Sequence, residues 1–484
     1  MRLISSFVGR ALALAIALTA VTTVATLEAK SPCHSVRVRR EIRTLSNNER
    51  ERFFNAVRKL NYGPKPTVYD RLALIHNNQR DIVHFYPQFF PWHRAFIHHF
   101  ENLLQSIDKS ITLPYFDWAY DSQAPELSVV WKPNWLGGEG NPANDCVTDG
   151  RFSDWKIFYP NFRCLNRRWS PGPRLGPWYA PEVLSAIGTI THKLSQYQKY
   201  FEMLPHNAIH MSMGGDMQSM YSPNDPFFWL HHSFVDKVWH DWQSVDPSRM
   251  YSYGGTNSDG TPADLSDPLK PLPYIVHDVM DIKHLCYEYE PFPIGHFFDP
   301  TVKKDTIDSA SNDTRSNEDT VEVVSAAKAG KLEKGGLTAV NISTSMWEDA
   351  HYVELLDLSP AYTIPSDWIQ QMGFDENDVR AREAQTDHFR RQVNSLPGYV
   401  SPAALIMRPE HIEHFIHIGS GFTATKNDRR LIIGTVRAQQ LGPNGIRHRV
   451  REFLAHHSAI DPHRTLADII GKQAEAKMKE HFGM

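Results

Sequence analysis

The sequence contains few cysteines and no large excess of charge of either sign. Only 4 cysteines occur among 484 residues, and the formal net charge is -4. A chain so close to neutral gives no reason to expect a nucleic-acid partner. With 41% hydrophobic and 22% charged residues, its composition is that of a globular protein. Its length allows two or more domains.

Long apolar runs are also scarce. One run, ALALAIALTAVTTVA, follows Arg2 and Arg10 near the N-terminus. It is shorter than the roughly 20 residues that a transmembrane helix needs, and its length suits a secretory signal. We therefore predict a cleaved signal peptide over residues 1 to 29 and a secreted mature chain without membrane attachment. A retained membrane anchor is the alternative.

The cysteines are compatible with an exported protein, in which disulfides persist. Cys146 and Cys164 bracket a short segment rich in polar residues, and we predict that they form a disulfide. Cys33 and Cys286 would then pair with each other, joining the two ends of the predicted core domain. The sequence leaves open the alternative that some of these thiols are free.

Composition divides the chain into two parts. Residues 33 to 298 contain the motifs described below, whereas residues 301 to 336 are too polar to bury a core and predict a linker. Residues 340 to 484 regain apolar residues at helical spacing, so we predict a C-terminal extension with a helix-containing fold. Asn312 and Asn341 begin glycosylation sequons, which would suit a secreted glycoprotein.

Histidine is abundant, and six of the 25 histidines form two groups of three. The first group is His76, His84 and His93, and the second is His206, His210 and His232. Imidazole suits copper, zinc, iron and nickel. Structural zinc sites usually include cysteine, and neither group has one nearby. Three imidazoles per metal, twice over, predict two copper ions and therefore oxygen chemistry.

Local sequence predicts where the first group lies. His84 and His93 would face opposite ways on one continuous helix, but Pro87 and Pro91 interrupt the segment between them. We therefore predict that His76 ends one helix, that His84 lies on a loop and that His93 lies near the start of a new helix beginning at Pro91.

The second group begins with a pair of histidines at helical spacing. His206 and His210 are four residues apart and share one helix face. Pro205 is placed to open this helix, and the pair Gly214 and Gly215 to end it. The small size of these glycines also favours an open site.

A further helix is predicted to begin at Asp225-Pro226 and to carry His232. We predict that His232 is the ligand, because its neighbour His231 points about 100° away on a helix. Asp236 lies one turn after His232, so we predict that it accepts the second N–H of that imidazole and fixes its orientation.

Two strings of sequence resemble the copper signatures of the tyrosinase family. They are HFYPQFFPWHRAFIHHFE at 84 to 101 and DPFFWLHHSFVD at 225 to 236. LPYFDW (113 to 118), HNAIHMSMGG (206 to 215) and YEY (287 to 289) agree with the same family. The opening CHSVRVRREIRTLS resembles secreted fungal-type tyrosinases. The resemblance covers residues 33 to about 295.

The resemblance implies a mainly α fold, in which a four-helix bundle with long loops forms a dicopper core. Each copper would be held by one group of three histidines, and the substrates would be O2 and small phenols. Many relatives link a cysteine to the second histidine, but residues 80 to 83 contain none, so that cross-link should be absent. Glu202 and Asn207 match positions that, in relatives, help to hold a water that accepts the phenol proton.

The function implied is that of a secreted tyrosinase, a monophenol monooxygenase and diphenol oxidase that makes ortho-quinones for melanin or cross-linking. Two alternatives share the site: a catechol oxidase that does not hydroxylate monophenols, and an oxygen-binding protein like haemocyanin. Some relatives carry a C-terminal extension that covers the site until it is cleaved. Residues 340 to 484 would either act in this way or pack permanently as a second domain.

Overall fold

A computed structural model describes residues 33–172, 174–290 and 357–395, together with Ser401 and Ala403. The predicted signal peptide (1 to 29), the linker (301 to 336), both sequons and most of the extension from 340 to 484 lie outside the described residues. Among the described residues, no helix has the length and apolar character needed to cross a membrane.

The structure is mainly helical, which confirms the predicted fold class. The α-helices are α1 (Asn47–Leu60), α2 (Val68–Val83), α3 (Phe89–Ile107), α4 (Pro181–Ile190), α5 (Leu194–Phe201), α6 (Asn207–Met213), α7 (Phe227–Val245), α8 (Val276–Met280), α9 (Ser366–Gln371) and α10 (Glu376–Asn394). A π-helical turn, Glu202–His206, connects α5 to α6. Short 3-10 turns are Ile42–Thr44, Pro125–Leu127, Val129–Trp131, Gly215–Gln218, Ser222–Asn224, Pro247–Arg249 and Ile282–Leu285.

Side-chain caps explain where the first two helices begin. Ser46 and Glu49 form a capping box at α1, in which each side chain accepts a backbone N–H from the other residue. Thr67 and Asp70 do the same at α2. The expected end of α2 at His76 is wrong. The helix continues to Val83 and includes Asn77 and Asn78, because the low helix propensity of asparagine is only a weak preference.

The core is built around α3 and α7, which pack against each other. Both helices are buried on nearly all sides, and their aromatic side chains stack across the interface. The rings of Phe100 and Trp229 lie parallel with centroids 3.8 Å apart. Helices α2 and α6 complete the group that carries the predicted metal ligands. This arrangement matches the predicted four-helix core.

Two disulfides and two short sheets join segments of the chain that are separate in sequence. Cys33–Cys286 and Cys146–Cys164 are both bonded, which confirms the predicted pairing and leaves no free cysteine. Strands β1 (Arg37–Arg39) and β4 (Tyr287–Tyr289) pair in parallel beside the first disulfide. Strands β2 (Lys156–Ile157) and β3 (Arg163–Cys164) pair antiparallel beside the second. The two ends of the core domain are thus held together.

The described part of the C-terminal extension, residues 357–395, packs on the core domain. Ile364, Trp368 and Ile369 belong to the same apolar cluster as the core helices. Helix α10 lies against α4, where Phe389 joins a smaller cluster. The backbone N–H of Tyr362 donates to the carbonyl of Pro177 at 2.6 Å. This segment therefore shares an apolar cluster with the core helices.

Candidate metal centre

The structure brings the first predicted group of histidines together. His76 lies within α2, His84 caps its C-terminal end in an extended conformation, and His93 lies in the second turn of α3. All three side chains are buried, and one nitrogen of each lies within 4.8 Å of the others. The Nε2 atoms of His76 and His93 are 3.3 Å apart. The predicted loop position of His84 is confirmed.

The second group also converges, but it contains one more imidazole than predicted. His206, His210 and His232 each offer a nitrogen to a cluster of the same size, and His231 offers one too. The expectation that His231 points away from the site is therefore wrong. Consecutive residues on a helix diverge by about 100°, but a side chain of this length still reaches the same cavity from the flank.

The backbone and one amide hold the rings so that Nε2 faces the cavity. The Nδ1 atoms lie within hydrogen-bond distance of oxygens as follows: His76 to Met220 O at 2.7 Å, His84 to Arg80 O at 3.2 Å, His93 to Phe89 O at 2.8 Å, His206 to Asn207 Oδ1 at 3.1 Å and His210 to Met217 O at 2.6 Å. Such bonds fix the tautomer that leaves Nε2 as the metal ligand.

The cavity contains buried nitrogens that no described residue satisfies. The Nε2 atoms of His206 and His210 have no hydrogen-bond partner within the described part of the chain, and neither ring nitrogen of His231 or His232 has one. A buried polar atom without a partner is costly. A metal bound by this cluster would satisfy one ring nitrogen each of His206, His210 and His232.

Burial also sets the protonation of the rings. It lowers the pKa of all six predicted ligands below the usual range, and those of His84 and His210 to about 4. A metal binds the neutral imidazole. The site therefore presents its ligands in the binding form at neutral pH.

Ring contacts place the two groups face to face. The rings of His93 and His232, one from each group, stack with centroids 4.4 Å apart and planes 10° apart. Phe89 contacts both His93 and His206 with centroids at 4.9 Å. Phe228 packs on His232 at 4.1 Å. The two clusters are thus adjacent, as a pair of metal ions acting on one molecule requires.

A π-helical turn positions His206, and it corrects the predicted role of Pro205. Pro205 lies inside this turn and does not open a helix, since the helical path is continuous from α5 to α6. Proline lacks the N–H that an α-helix needs, so the backbone widens locally. The N–H of Asn207 then donates to the carbonyls of Glu202 and Leu204. Widened turns of this kind are frequent at functional sites.

The predicted role of Asp236 is wrong. Its Oδ1 accepts from Arg94 Nε at 2.5 Å, and its Oδ2 accepts from the hydroxyls of Tyr287 and Tyr289 at 2.6 Å each. Burial raises the pKa of Asp236, but Arg94 and Arg39 outweigh it and hold the pKa below its usual range. Helical spacing identified the shared face correctly, but these charged and hydroxyl donors bind the carboxylate and direct it away from His232.

Glu202 and Asn207 both lie buried beside the second group. Glu202 Oε1 accepts from the backbone N–H of Phe85 at 2.7 Å, and Oε2 accepts from the side chain of Gln198. Burial raises the pKa of Glu202 well above its usual range, against the lowering effect of these two donors. The charge of bound metal would favour the ionised form. The Nδ2 of Asn207 has no partner among the described residues.

Comparison with known proteins identifies the chain. Residues 66–245 match the family model described as the common central domain of tyrosinase. The chain is 35% identical over 264 residues to a tyrosinase of Streptomyces antibioticus, covering 48% of this chain and 92% of that protein. It belongs to the tyrosinase family. A tyrosinase-like protein of Diaporthe leptostromiformis is 30% identical over 316 residues, covering 53% of this chain and 78% of that protein.

A solved structure is similar as well. A polyphenol oxidase from Thermothelomyces thermophila superposes with a TM-score of 0.44 and 24% identity, covering 53% of this chain and 89% of that chain. Membership of the tyrosinase family, together with the two histidine clusters, shows that the predicted cofactor is right: the centre is a type-3 dicopper centre. The protein is a copper phenol oxidase of this family.

Sequence reasoning missed two features of this tyrosinase centre. The first is Phe85, directly after His84, whose φ of +63° is unusual for a bulky residue. The second is the loop from 214 to 224, whose carbonyls orient His76 and His210. A Cβ on Gly214 would lie 2.1 Å from the carbonyl oxygen of Arg168, so this glycine is required for close packing and does not indicate an open site.

Proposed function

We propose that the protein is a secreted tyrosinase that hydroxylates monophenols and oxidises the resulting diphenols to ortho-quinones. The observation that carries the proposal is the pair of facing imidazole clusters, the second of which has buried Nε2 atoms without a partner among the described residues. We assign one copper to His76, His84 and His93 and the other to His206, His210 and His232. Bound copper would supply the binding and activation of O2. Melanin formation or cross-linking would follow from the quinone product.

His232 is the better ligand than His231 in this proposal because of where its ring lies. It stacks on His93 of the opposite group, whereas the ring of His231 lies parallel to that of Phe227, with centroids 6.2 Å apart. A ring that meets the other cluster is placed to hold a metal between the two groups.

Glu202 and Asn207 would perform the proton chemistry. A phenol with a pKa of about 10 is mostly protonated at neutral pH and needs an acceptor for its proton. We propose that Asn207 Nδ2 and the Glu202 carboxylate hold a water that takes this proton. The buried Nδ2 without a partner and the carboxylate fixed by Phe85 and Gln198 support this role.

Replacement of Asn207 tests that role. We expect Asn207→Leu to lower kcat/KM for a monophenol about tenfold or more, since a positioned proton acceptor contributes at least that much. Diphenol oxidation should fall much less, because a diphenol is more easily deprotonated at copper. Glu202→Gln, which keeps the shape, should act in the same direction. Equal loss on both substrates would contradict the assignment.

Oxygen uptake by the copper-loaded full-length chain tests the function itself. Uptake with a monophenol and with a diphenol is expected for a tyrosinase. Uptake with the diphenol alone would identify a catechol oxidase. Reversible oxygen binding without turnover of either phenol would favour a carrier like haemocyanin.

We further propose that residues 33 to 298 form the catalytic domain and residues 340 to 484 a C-terminal extension. The two disulfides and the sequons support secretion. The buried packing of residues 357–395 supports a permanent attachment of that segment. Shielding by the remainder is tested by cleaving within 301 to 336: a rise in diphenol oxidation would indicate a shield, and no change would exclude one.

A further inference from the structure

Phe85 connects the copper site to the C-terminal extension. It directly follows His84, and its backbone N–H donates to Glu202. Its ring meets the ring of Phe374 at 4.4 Å between centroids and that of Trp368 at 6.2 Å. Phe374 and Trp368 belong to the extension, so one residue touches a predicted proton-handling group, a predicted copper ligand and a distant segment.

We propose that Phe374 and Trp368 are positioning residues for the copper held by the first histidine group. By packing on Phe85 they hold the backbone that aims His84 into the cavity. The extension would then be a structural part of the metal site, a role different from that of a removable cover. This inference rests on the proposed assignment of His84 as a copper ligand.

The backbone of Phe85 explains why an external contact is needed. With φ at +63°, Phe85 lies in the left-handed region, which is unfavourable for a residue with a Cβ. Such a conformation persists only where the surroundings hold it. The surroundings are the Glu202 carboxylate on the core side and the two rings of the extension on the other side.

His84 is the ligand that most depends on this support. His76 and His93 lie within α2 and α3, where the helix fixes the backbone. His84 lies past the last turn of α2, with φ of -113° and ψ of 136°. All four cysteines are paired in disulfides, so no cysteine is available to fix the ring of His84 covalently. The conformation of the peptide bond that joins His84 to Phe85 therefore largely determines the orientation of the His84 ring.

The rings of Trp368 and Phe374, which contact Phe85, are held in place by their own segment. Trp368 is buried in α9 beside the fully buried Ile369. The N–H of Phe374 donates to the carbonyl of Ile369 at 3.1 Å, which closes the end of that helix. Gly373 makes this turn possible with a φ of +73°. The rings that meet Phe85 thus project from a fixed turn.

Copper retention by the full-length protein tests the proposal without relying on activity. Copper-loaded wild type, Phe374→Ala, Phe374→Tyr and Phe389→Ala are exposed to a copper chelator, and copper per chain is followed by atomic absorption. Phe389→Ala is the control, because it removes a more deeply buried ring of the same residue type from the same segment, in a separate cluster. Phe85→Gly removes the ring from the core side and tolerates a positive φ.

We expect Phe374→Ala and Phe85→Gly to release one of two coppers about 10- to 100-fold faster than wild type, as is typical when a ligand's support is lost. The second copper should leave at the wild-type rate, as should both coppers from Phe374→Tyr and Phe389→Ala. Unchanged release from Phe85→Gly and Phe374→Ala, or equal acceleration by Phe389→Ala, would overturn the inference. A wild type that retains fewer than two coppers would overturn the ligand assignment itself.

Discussion

At the scale of single residues, two neighbouring histidines offer a direct comparison. His231 and His232 are both buried and both reach the second cluster, yet only one is expected to bind copper. We predict that His232→Ala reduces the copper content from two ions per chain to one, whereas His231→Ala retains two. Atomic absorption of protein loaded with excess copper and desalted measures the content. Loss of copper from His231→Ala alone would reverse the assignment.

The buried carboxylate of Asp236 provides a second residue-scale prediction. It neutralises Arg94 and approaches Arg39, and all three side chains are almost completely buried. Asp236→Asn would leave buried positive charge uncompensated, which costs about 3–5 kcal/mol of unfolding free energy. Urea unfolding of the copper-free protein measures the change. The exposed pair of Arg80 and Asp81 is the control, and Asp81→Asn should cost about 0–1 kcal/mol.

A small change for Asp236→Asn would mean that its tyrosine partners, and not its charge, stabilise the fold. The interaction explains why helical spacing alone predicts the wrong partner for Asp236. An aspartate one turn after a histidine can reach it, but the hydroxyl of Tyr287, 51 residues away, reaches it first. Competition of this kind depends on contacts that a local pattern does not contain.

At the scale of elements, the capping box of α1 gives a pH-dependent prediction. The side-chain hydroxyl and backbone N–H of Ser46, followed by Arg40, lower the pKa of Glu49 to about 2. Because the folded pKa lies below the unfolded value, the stabilisation is present above about pH 4.5 and is lost as the pH falls toward 2. Glu49 is partly exposed, so its contribution is screened to about 0.5–1 kcal/mol.

We therefore expect Glu49→Gln to lower the unfolding free energy of the copper-free protein by about 0.5–1 kcal/mol at pH 7. At pH 3 the difference from wild type should shrink, because Glu49 is then mostly protonated in the unfolded chain, which removes part of the stabilisation that its ionised form gives the folded state. Urea unfolding at both pH values measures it. Glu288→Gln, at an exposed position of β4, is the control. A difference that is constant with pH would contradict the capping role.

The helices that carry the copper ligands show how far element prediction reaches. The start of α1 at its cap, the loop at His84 and the end of α6 at Gly214 followed from local chemistry. The extent of α2 did not, since asparagines that often end helices are tolerated when the rest of the helix is well packed. The π-helical turn at Pro205 was also missed, because proline more often opens a helix than widens one.

At the scale of the whole molecule, the two disulfides should differ in their effect. Cys33 and Cys286 are separated by 253 residues in sequence, and Cys146 and Cys164 by 18. Closing the longer loop removes more entropy from the unfolded chain. Replacing both cysteines of the long-range bridge by serine should cost about 5 kcal/mol, against about 3 kcal/mol for the short one.

Urea unfolding of the two double variants compares these costs under identical conditions. Retention of copper by both variants before unfolding controls for damage to the site. The opposite order would indicate that residual pairing of β1 with β4 in the unfolded state already constrains residues 33 and 286. The same test shows how strongly the pairing of β1 with β4 depends on the Cys33–Cys286 disulfide.

The sequence by itself determined the chemistry of the centre. Two groups of histidines, their caps and breakers, and the lack of nearby cysteine predict a dicopper site, because these signals act over a few residues. Only the tertiary structure decided which imidazoles meet, that Asp236 serves the arginines, and that Phe85 rests on Phe374. Those contacts join residues far apart in sequence. Their geometry depends on how whole helices pack, which no local spacing specifies.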